Sequence, residues 1–319
     1  MTAVQPETRP ATLEDVPGWF FPVDRHLFAW LLERQQKLAI AGDLIEMGAY
    51  LGRSAIVIGE YVREGETFTV CDLFDSDAGD DENSGEMQMS YRSTLTRNAF
   101  DANYLAFHDA LPTVVQAPTS VLGDGRIGPE SCRFVHIDAS HLYEHVIGDI
   151  RVARDSLAPD GVVVLDDYRT EHTPGVAAAA WEAVATLDLK PIVLSGTKMY
   201  ATWGDLDEVQ EDLFQACRSW EHQRLSVEQV RGRRLLRLRG LKELAPPPFR
   251  HSRYYGEVQA AQLRARADAR TEQKRLAAEH AAARRTPAAR AKRMARELLP
   301  PVATRAGARL LQARRSRKG

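Results

Sequence analysis

The sequence predicts an α/β protein with a doubly wound, Rossmann-like, mostly parallel sheet of seven strands that ends in an antiparallel hairpin. The first reason is that short apolar runs alternate with segments whose apolar residues recur at helical spacing. The second is the stretch 134–168, which alternates as strand, helix and strand. Its last strand, 162–165, is continuously apolar, as is typical of strands buried on both faces of a parallel sheet. The third is the pair of short strands 191–194 and 198–203, which flank a hairpin-like turn.

The N-terminal region is expected to contain a disordered start and one helix. Residues 1–16 show no apolar periodicity, so we expect them to be disordered. A helix should follow, with Asp24 as its N-cap, and it would cover one edge of the domain or form a lid over a pocket. Its apolar residues at helical spacing are Leu27, Trp30, Leu31 and Leu38. We interpret Trp19 and Phe20, which precede this helix, as core anchors.

A strand, a glycine-containing loop and a helix come next. Residues 43–48 predict the first strand, and the turn 49–54 leads into a helix that ends near residue 62. Gly48 and Gly52 permit the tight backbone needed where a ligand approaches a helix N-terminus. The spacing differs from the G-x-G-x-x-G pattern of dinucleotide-binding proteins, and the loop alone is a weak signal.

The second predicted strand, 67–72, ends in an acid. Asp72 stands 26 residues after Glu46, which is itself an acid near the end of the first strand. An acid at this point commonly accepts hydrogen bonds from the hydroxyl groups of a bound ribose. The alternative interpretation of Asp72 is a helix cap or a turn residue.

The middle of the chain continues the alternation. Residues 74–90 are acidic and aperiodic, which indicates a long loop, and a helix is predicted over 91–106. A third strand is predicted over 113–117, with Ser120 just beyond it, and a later helix over 175–187.

The end of the chain is predicted to leave the domain. A helix over 209–220 precedes the basic segment 230–240, which would form an added strand, and three prolines then interrupt the chain at 246–248. We therefore place the main domain at 17–248. Residues 249–319 would be a basic, Ala/Arg-rich extension that is helical or disordered.

The net charge of −2 hides a strong asymmetry. Residues 251–319 hold 18 basic and 5 acidic residues, a balance of +13, so the rest of the chain carries −15. Such a tail permits weak docking on an anionic membrane surface or on an acidic partner, including a second copy of this chain. It lacks the interleaved aromatic residues that stack on bases, so we expect no specific nucleic-acid partner. A simple solvated face is the alternative.

The cysteines and the apolar segments indicate the cellular compartment of the protein. Three cysteines without close spacing give neither a disulfide framework nor a zinc pattern, which favours a reducing compartment. No apolar run approaches the length of a membrane span, and no secretory signal is evident. We expect a cytoplasmic protein.

Three acids mark the candidate site. Asp138 ends one predicted strand, and Asp166 and Asp167 end the next. Ligands bind beyond the carboxyl ends of strands in such sheets, and neighbouring strands lie about 5 Å apart, so the three carboxylates should converge. The alternative is that each acid caps the helix that follows it.

The motifs IEMGAYLGRSA, CDLF and FVHIDASHLYEHVIGDIRVARDSLAPDGVVVLDDY resemble those of the class I S-adenosylmethionine-dependent methyltransferases. More narrowly, they are similar to the macrocin O-methyltransferase-like group, which acts on sugars and other small hydroxylated metabolites. The resemblance covers roughly residues 40–205 and leaves out the tail. It implies an enzyme that methylates a hydroxyl group of a small acceptor, for which a sugar is one candidate.

The resemblance also implies a set of site residues. The cofactor loop would contain Glu46, Gly48, Tyr50, Gly52 and Ser54. Asp72 would bind the cofactor ribose, and Ser120 would lie near its adenine.

For the metal-dependent members, the resemblance assigns a divalent cation, usually Mg²⁺, to Asp138, Asp166 and Asp167. Hard oxygen ligands agree with magnesium rather than zinc. His141, three residues after Asp138, takes the place of a lysine in the similar catechol O-methyltransferases. We interpret His141 as a general base acting beside Asp138, with a capping or packing residue as the alternative. His136 would be a buried structural partner.

Two other functions stay open at this stage. One is a nucleotide-dependent oxidoreductase on a related fold, which the absence of G-x-G-x-x-G disfavours. The other is a non-catalytic binding protein that docks through its basic tail, and such contacts would be directed at phosphates and sensitive to salt.

Overall fold

The computed structural model describes residues 9–76 and 95–285, together with residues 287, 291 and 294. Helices and strands alternate along this part of the chain, as an α/β fold requires. Its strands are β1 (Asp43–Met47), β2 (Phe68–Asp72), β3 (Thr113–Gln116), β4 (Cys132–Ile137), β5 (Leu157–Leu165), β6 (Lys190–Leu194), β7 (Met199–Thr202), β8 (Gln223–Val230) and β9 (Arg233–Gly240). Its α-helices are α1 (Pro22–Lys37), α2 (Arg53–Gly59), α3 (Arg97–Phe107), α4 (Tyr143–Ser156), α5 (Pro174–Thr186), α6 (Asp207–Cys217) and α7 (Tyr255–Arg285).

One mostly parallel sheet organises the domain, which confirms the predicted fold class. Within the described residues, the sheet has the order β3-β2-β1-β4-β5-β7-β6-β9-β8. The first five strands are parallel to one another, whereas β7 runs antiparallel to both β5 and β6. The predicted hairpin is therefore present as β6 and β7.

The predicted number of seven strands is wrong, because β8 and β9 extend the sheet to nine strands in the described part of the chain. These two strands form an antiparallel pair, and β9 also pairs in parallel with β6. In β9, Leu236 and Leu238 pack into one apolar layer and Leu235 into the other, while Arg237 and Arg239 are exposed. Apolar side chains on both faces of β9 are therefore buried, and the segment 230–240, predicted as an added strand, is the part of the sequence that indicates it.

Two apolar layers cover the sheet. One layer joins residues of α1, α2, α3 and α6, among them Phe28, Ile56 and Phe100. The other joins residues of α4 and α5, including Ile150 and Ala180. Because helices cover both faces, the central strands are continuously buried, as the apolar run in β5 predicted.

The start of α1 differs from the prediction. The helix begins at Pro22 and has Phe21 at its N-cap, since proline suits the first helical position. Asp24 is therefore not the N-cap; it is buried, and it accepts a 2.8 Å hydrogen bond from the hydroxyl of Tyr200. Phe20 is buried and packs edge-on against Phe28, as expected of a core anchor. Trp19, in contrast, is 65% exposed, so the same expectation is wrong for it.

Other boundaries shift by a few residues. Helix α3 begins at Arg97, with the Thr96 hydroxyl accepting a hydrogen bond from the Ala99 N–H. The predicted first part of this helix, 91–94, and most of the acidic loop 74–90 lie outside the described residues. The last strand of the stretch 134–168, predicted over 162–165, begins earlier, at Leu157, and its pairing with β4 is irregular near this start.

The chain divides into two compact units, Met1–Gly256 and Glu257–Gly319. In the first unit, the expected disorder of residues 1–16 does not extend to Leu13 and Val16, which are buried, whereas residues 1–8 lie outside the described residues. This unit also runs past the predicted limit at residue 248. The N–H of Ser252 donates to the carbonyl of Ala11 at 3.0 Å, which ties its two ends together.

In the second unit, α7 continues to Arg285 as the predicted Ala/Arg-rich helix. None of its residues from 257 to 282 is buried. Arg275 pairs with Glu272 and Glu279 along the helix surface. The basic stretches 290–299 and 305–318, on which the expected docking depends, lie almost wholly outside the described residues.

Two findings concern the expected compartment. Cys71, Cys132 and Cys217 are buried free thiols. In the part of the chain that the structure describes, no helix is both long and apolar enough to cross a bilayer.

Candidate active site

A cavity of about 870 Å³ opens at the carboxyl ends of the parallel strands. Loops that follow β1, β2, β3, β4 and β5 all contribute to its lining, because parallel strands end at one edge of the sheet. A volume of this size suits a drug-sized ligand. The cavity brings together the predicted site residues Gly48, Tyr50, Ser54, Asp72, Ser120, Asp138, His141, Asp166 and Asp167.

Asp72 holds the loop that follows β1. One carboxylate oxygen accepts hydrogen bonds from the N–H groups of Ala49 at 2.7 Å and Tyr50 at 3.1 Å. The other oxygen accepts from the N–H of Phe74 at 2.6 Å. Burial raises the pKa of Asp72, and the three N–H donors oppose that rise. The acid therefore organises the glycine loop besides facing the cavity.

Gly48 and Gly52 shape this loop in different ways. Gly48 has a φ of +79°, and a Cβ there would lie 2.1 Å from the carbonyl oxygen of Asp138, so only glycine fits between β1 and β4. Gly52 has a φ of +92° and is the N-cap of α2, against the ring of Phe100. Gly48 lines the cavity, whereas Gly52 is absent from the lining formed by the described residues and supports the loop from behind.

Glu46 lies away from the cavity, in the core. It pairs across the β1–β4 ladder with His136, and its Oε1 lies 2.8 Å from Nδ1 of that histidine. Both side chains are fully buried, and burial raises the pKa of Glu46 to about 8. His136 is thus the buried structural partner that the sequence predicts. The lining formed by the described residues does not include Glu46, so its predicted cofactor contact has no support in this geometry.

The three predicted acids lie at the cavity but are not equivalent. Asp138 has an open face on the cavity, yet the protein around its carboxylate raises its pKa to about 6, against the opposing effect of Lys198. Ligand atoms of Asp138, Asp166 and His136 lie within 4.8 Å of one another. Oδ2 of Asp167 lies instead 3.6 Å from Nε2 of His141, the predicted base.

Lys198 is a site residue that sequence reasoning missed. Its ammonium group pairs with Oδ2 of Asp166, and its side chain is 2% exposed. Burial lowers the pKa of Lys198, while the negative charges of Asp138, Asp24 and Glu46 oppose that change. In the sequence, a lysine directly after a turn looks like a surface residue. Only the pairing of β5 with β7 shows that it enters the core beside Asp166.

The segment before α1 closes another side of the cavity. Trp19 lines it, and the indole lies 5.4 Å from the ring of Tyr50, centroid to centroid. Arg53, at the start of α2, fixes this segment by donating to the carbonyls of Val16 at 2.5 Å and Gly18 at 2.7 Å. This side of the cavity is therefore lined by residues 17–21, before α1, whereas the helix itself contributes no lining residue among those described.

Comparisons with known proteins agree with this architecture. Residues 45–168 match a family model described as a methyltransferase domain, and this stretch contains every predicted site residue. No curated protein matches the chain. The match is consistent with the predicted class of S-adenosylmethionine-dependent methyltransferases, whereas the narrower macrocin-like group stays a prediction.

Solved structures with a similar fold are distant. The O-methyltransferase NovP is 20% identical with a TM-score of 0.44, over 57% of this chain and 79% of NovP. CalS11, a TDP-rhamnose 3′-O-methyltransferase of calicheamicin biosynthesis, is 17% identical with a TM-score of 0.40, over 58% and 82% of the two chains. TomG from Streptomyces achromogenes, an O-methyltransferase involved in tomaymycin synthesis, is 15% identical with a TM-score of 0.39, over 60% and 83%. Likenesses this distant say nothing about the substrate.

Proposed function

From the match of residues 45–168 to a methyltransferase domain, we propose that the chain is a class I S-adenosylmethionine-dependent methyltransferase that methylates a hydroxyl group of a small molecule, with a sugar as the first candidate. The observation that carries the proposal is that the predicted cofactor-binding residues and the predicted metal-binding acids line one and the same cavity. The loop held by Asp72 borders it on one side, and the carboxylates of Asp138 and Asp166 border it on the other. A cofactor and an acceptor can therefore meet within it.

The cofactor would bind across the ends of β1, β2 and β3. Gly48, Tyr50 and Ser54 would approach its amino acid portion, and Asp72 would accept hydrogen bonds from its ribose. Each carboxylate oxygen has two lone pairs, so Asp72 can bind a ribose hydroxyl while it holds the loop. Glu46 takes no part in this proposed contact, because its side chain is buried in the core and does not line the cavity among the described residues.

The acceptor would bind between the acids and Trp19. The exposed indole of Trp19 offers a flat apolar surface at the cavity wall, on which one face of a sugar or an aromatic ring can pack. Thr170 and His172 line the same cavity and supply polar contacts for hydroxyl groups. These features suit a compact hydroxylated ring better than a long chain.

The chemistry requires that a proton leave the acceptor hydroxyl. Its oxygen then attacks the sulfonium methyl carbon; the new O–C bond forms as the S–C bond breaks, and sulfur keeps the electron pair. His141 would accept the proton, and the imidazolium so formed would be stabilised by Asp167, 3.6 Å from Nε2. Asp138, which lines the same cavity, is the second candidate for this role if no cation occupies its carboxylate.

The donor set at the cavity also fits a magnesium ion. Asp138, Asp166 and Asp167 would hold it, since Asp138 opens on the cavity and hard oxygen donors suit Mg²⁺. Lys198 pairs with Oδ2 of Asp166, and the remaining lone pairs of this carboxylate can still bind a cation. When bound, the ion would supply the positive charge that lowers the pKa of the acceptor hydroxyl.

The proposal is tested with labelled S-adenosylmethionine and a panel of hydroxylated sugars and catechols. We expect label transfer to at least one acceptor, loss of transfer in EDTA and recovery with Mg²⁺. His141→Ala and Asp138→Asn should lower turnover without weakening the binding of S-adenosylhomocysteine. If the protein does not bind S-adenosylhomocysteine, the proposed function is wrong. If EDTA has no effect on turnover, only the role of the metal is wrong.

A further inference from the structure

Asp149 is a buried acid whose position the proposed reaction does not yet explain. It lies on α4, is 2% exposed, and lines the cavity. The hydroxyl of Thr119 hydrogen-bonds to its carboxyl group, but Oδ2 has no partner among the described residues. Leaving a buried carboxyl oxygen without a donor is unfavourable, so such atoms usually have a partner in the working protein.

The order of the strands places Asp149 at one end of the cavity. Along the sheet, the strands run β3-β2-β1-β4-β5, and the cavity reaches from the loop after β3 to the acids after β4 and β5. Asp149 is joined through Thr119 to the loop after β3, beyond Asp72 at the end of β2. If Asp72 binds the ribose and the methyl group is transferred near Asp138, the base of the cofactor must lie on the Asp149 side.

The wall around Asp149 suits a flat ring. Gly148 lines the cavity beside it, and a Cβ on this glycine would meet no atom within 4 Å, so the space in front of α4 is open. Leu73, Pro118 and Val152 supply apolar surface to the same cavity. Apolar walls with one buried acceptor at the edge are what a planar base with an amino group requires.

Resting on the proposed function, we infer that Asp149 recognises the adenine of S-adenosylmethionine, with Oδ2 accepting a hydrogen bond from the 6-amino group. The alternative is that Asp149 only fixes the 3-10 turn Thr119–Gly123 through Thr119. Burial raises the pKa of Asp149 to about 7, with the Thr119 hydrogen bond opposing the change. An acceptor oxygen is present in both protonation states, so the contact does not depend on which form is present.

The test compares two ligands on four proteins by calorimetry. The ligands are S-adenosylhomocysteine and its analogue without the 6-amino group. The proteins are the wild type, Asp149→Ala, Asp149→Asn and Asp155→Ala. Asp155 is a matched control, because it is an exposed acid on the same helix and does not line the cavity.

We expect Asp149→Ala to bind S-adenosylhomocysteine about ten-fold more weakly, as for the loss of one buried hydrogen bond. It should bind the analogue within about two-fold of the wild type. Asp149→Asn, whose amide oxygen can still accept, should keep most of the preference for the amino group, and Asp155→Ala should match the wild type.

Two results would overturn the inference while leaving the proposed function intact. In one, Asp149→Ala weakens the binding of both ligands equally, which would mean that Asp149 only fixes the turn that contains Thr119. In the other, Asp149→Ala weakens the binding of neither ligand. If the wild type binds neither ligand, the proposed function fails and the inference fails with it.

Discussion

The ammonium group of Lys198 and the carboxylate of Asp166 form an ion pair in which both side chains are almost completely buried. The pairing of the strands explains it. Leu165 at the end of β5 lies opposite Met199 at the start of β7, and in an antiparallel ladder this places Asp166 opposite Lys198. The β6–β7 hairpin therefore places the ammonium group of Lys198 beside the acids at the cavity, which its sequence alone does not indicate.

Removing the cation should destabilise the fold. Lys198→Met keeps most of the side-chain volume but leaves the Asp166 charge buried without its partner, so we expect a loss of about 3 kcal/mol in the free energy of unfolding. Urea denaturation followed by circular dichroism measures it. Combining Lys198→Met with Asp166→Asn should recover part of the loss, because the unpaired charge is removed as well.

Lys190→Met is the matched control for that experiment. Lys190 precedes the same hairpin turn, and its ammonium donates to the carbonyls of Trp203 and Gly204 at 3.0 Å. Because Lys190→Met leaves no buried charge without a partner, it should lower the free energy of unfolding by only about 1 kcal/mol. Equal losses for the two variants would show that the Asp166 charge is compensated in some other way.

Asp72 should control both the cofactor and the loop. Asp72→Ala removes the acceptor of three N–H groups, those of Ala49, Tyr50 and Phe74, as well as the predicted ribose contact. We expect the affinity for S-adenosylhomocysteine to fall about ten-fold or more, and amide exchange at these three residues to accelerate. Calorimetry and hydrogen exchange measure the two effects.

Asp75→Ala serves as the control for the Asp72 experiment. Asp75 is an exposed acid that accepts from the side chain of Gln116 at 3.0 Å and does not line the cavity. It should leave the affinity unchanged. If Asp72→Ala accelerates exchange but keeps full affinity, Asp72 organises the loop and does not bind the ribose.

The raised pKa of Glu46 should make the stability of the protein depend on pH. Burial raises its pKa to about 8 in the folded protein, against an ordinary value of 4.5. Between these values the folded state holds a proton that the unfolded state has released, so the contribution of Glu46 to stability falls as the pH rises from about 4.5 to 8. Between pH 4.5 and 8, the free energy of unfolding of the wild type should fall relative to that of the non-ionisable Glu46→Gln variant. Above about pH 8, the difference between the two proteins should stay constant.

Glu66 should show the opposite behaviour. Burial alone would raise its pKa, but hydrogen bonds from Arg133 and Arg63 outweigh burial and lower the pKa to about 2. Its contribution should therefore be present above about pH 4.5 and be lost as the pH falls toward 2. Denaturation curves of the wild type, Glu46→Gln and Glu66→Gln at several pH values compare the two. Slopes of the same sign would contradict the assignment of Glu46.

These residues show what local sequence can predict. Asp166 follows a continuously apolar run and Asp138 follows a mostly apolar one, so their place at the edge of a parallel sheet can be predicted from the sequence pattern. The Glu46–His136 and Asp166–Lys198 contacts depend on which strands pair and in which register, and those partners lie far apart in the chain. Trp19 and Phe20 are neighbours with similar hydrophobicity, and only the path of the chain over the cavity separates their roles.

The C-terminal limit of the domain gives the last prediction. Phe249 packs against Phe107, and the N–H of Arg253 donates to the carbonyl of Ala106 at 2.9 Å. Ser252 is buried, and its N–H donates to Ala11. These contacts lie beyond residue 248, the limit predicted from the prolines, but within the unit that ends at Gly256.

A chain that ends at Gly256 should therefore keep the stability and the methyl transfer of the full protein. A chain that ends at Pro248 loses these two backbone hydrogen bonds, the contact of Phe249, the ion pair of Arg250 with Glu60 and the hydrogen bond from the Arg253 side chain to the carbonyl of His108. We therefore expect its free energy of unfolding to fall by at least about 2–3 kcal/mol. Thermal denaturation of the three lengths, followed by binding of S-adenosylhomocysteine, distinguishes these cases. If the chain that ends at Gly256 is as unstable as the shorter one, residues beyond 256 belong to the fold. If both truncated chains match the full protein, the contacts of Phe249, Ser252 and Arg253 add nothing to its stability.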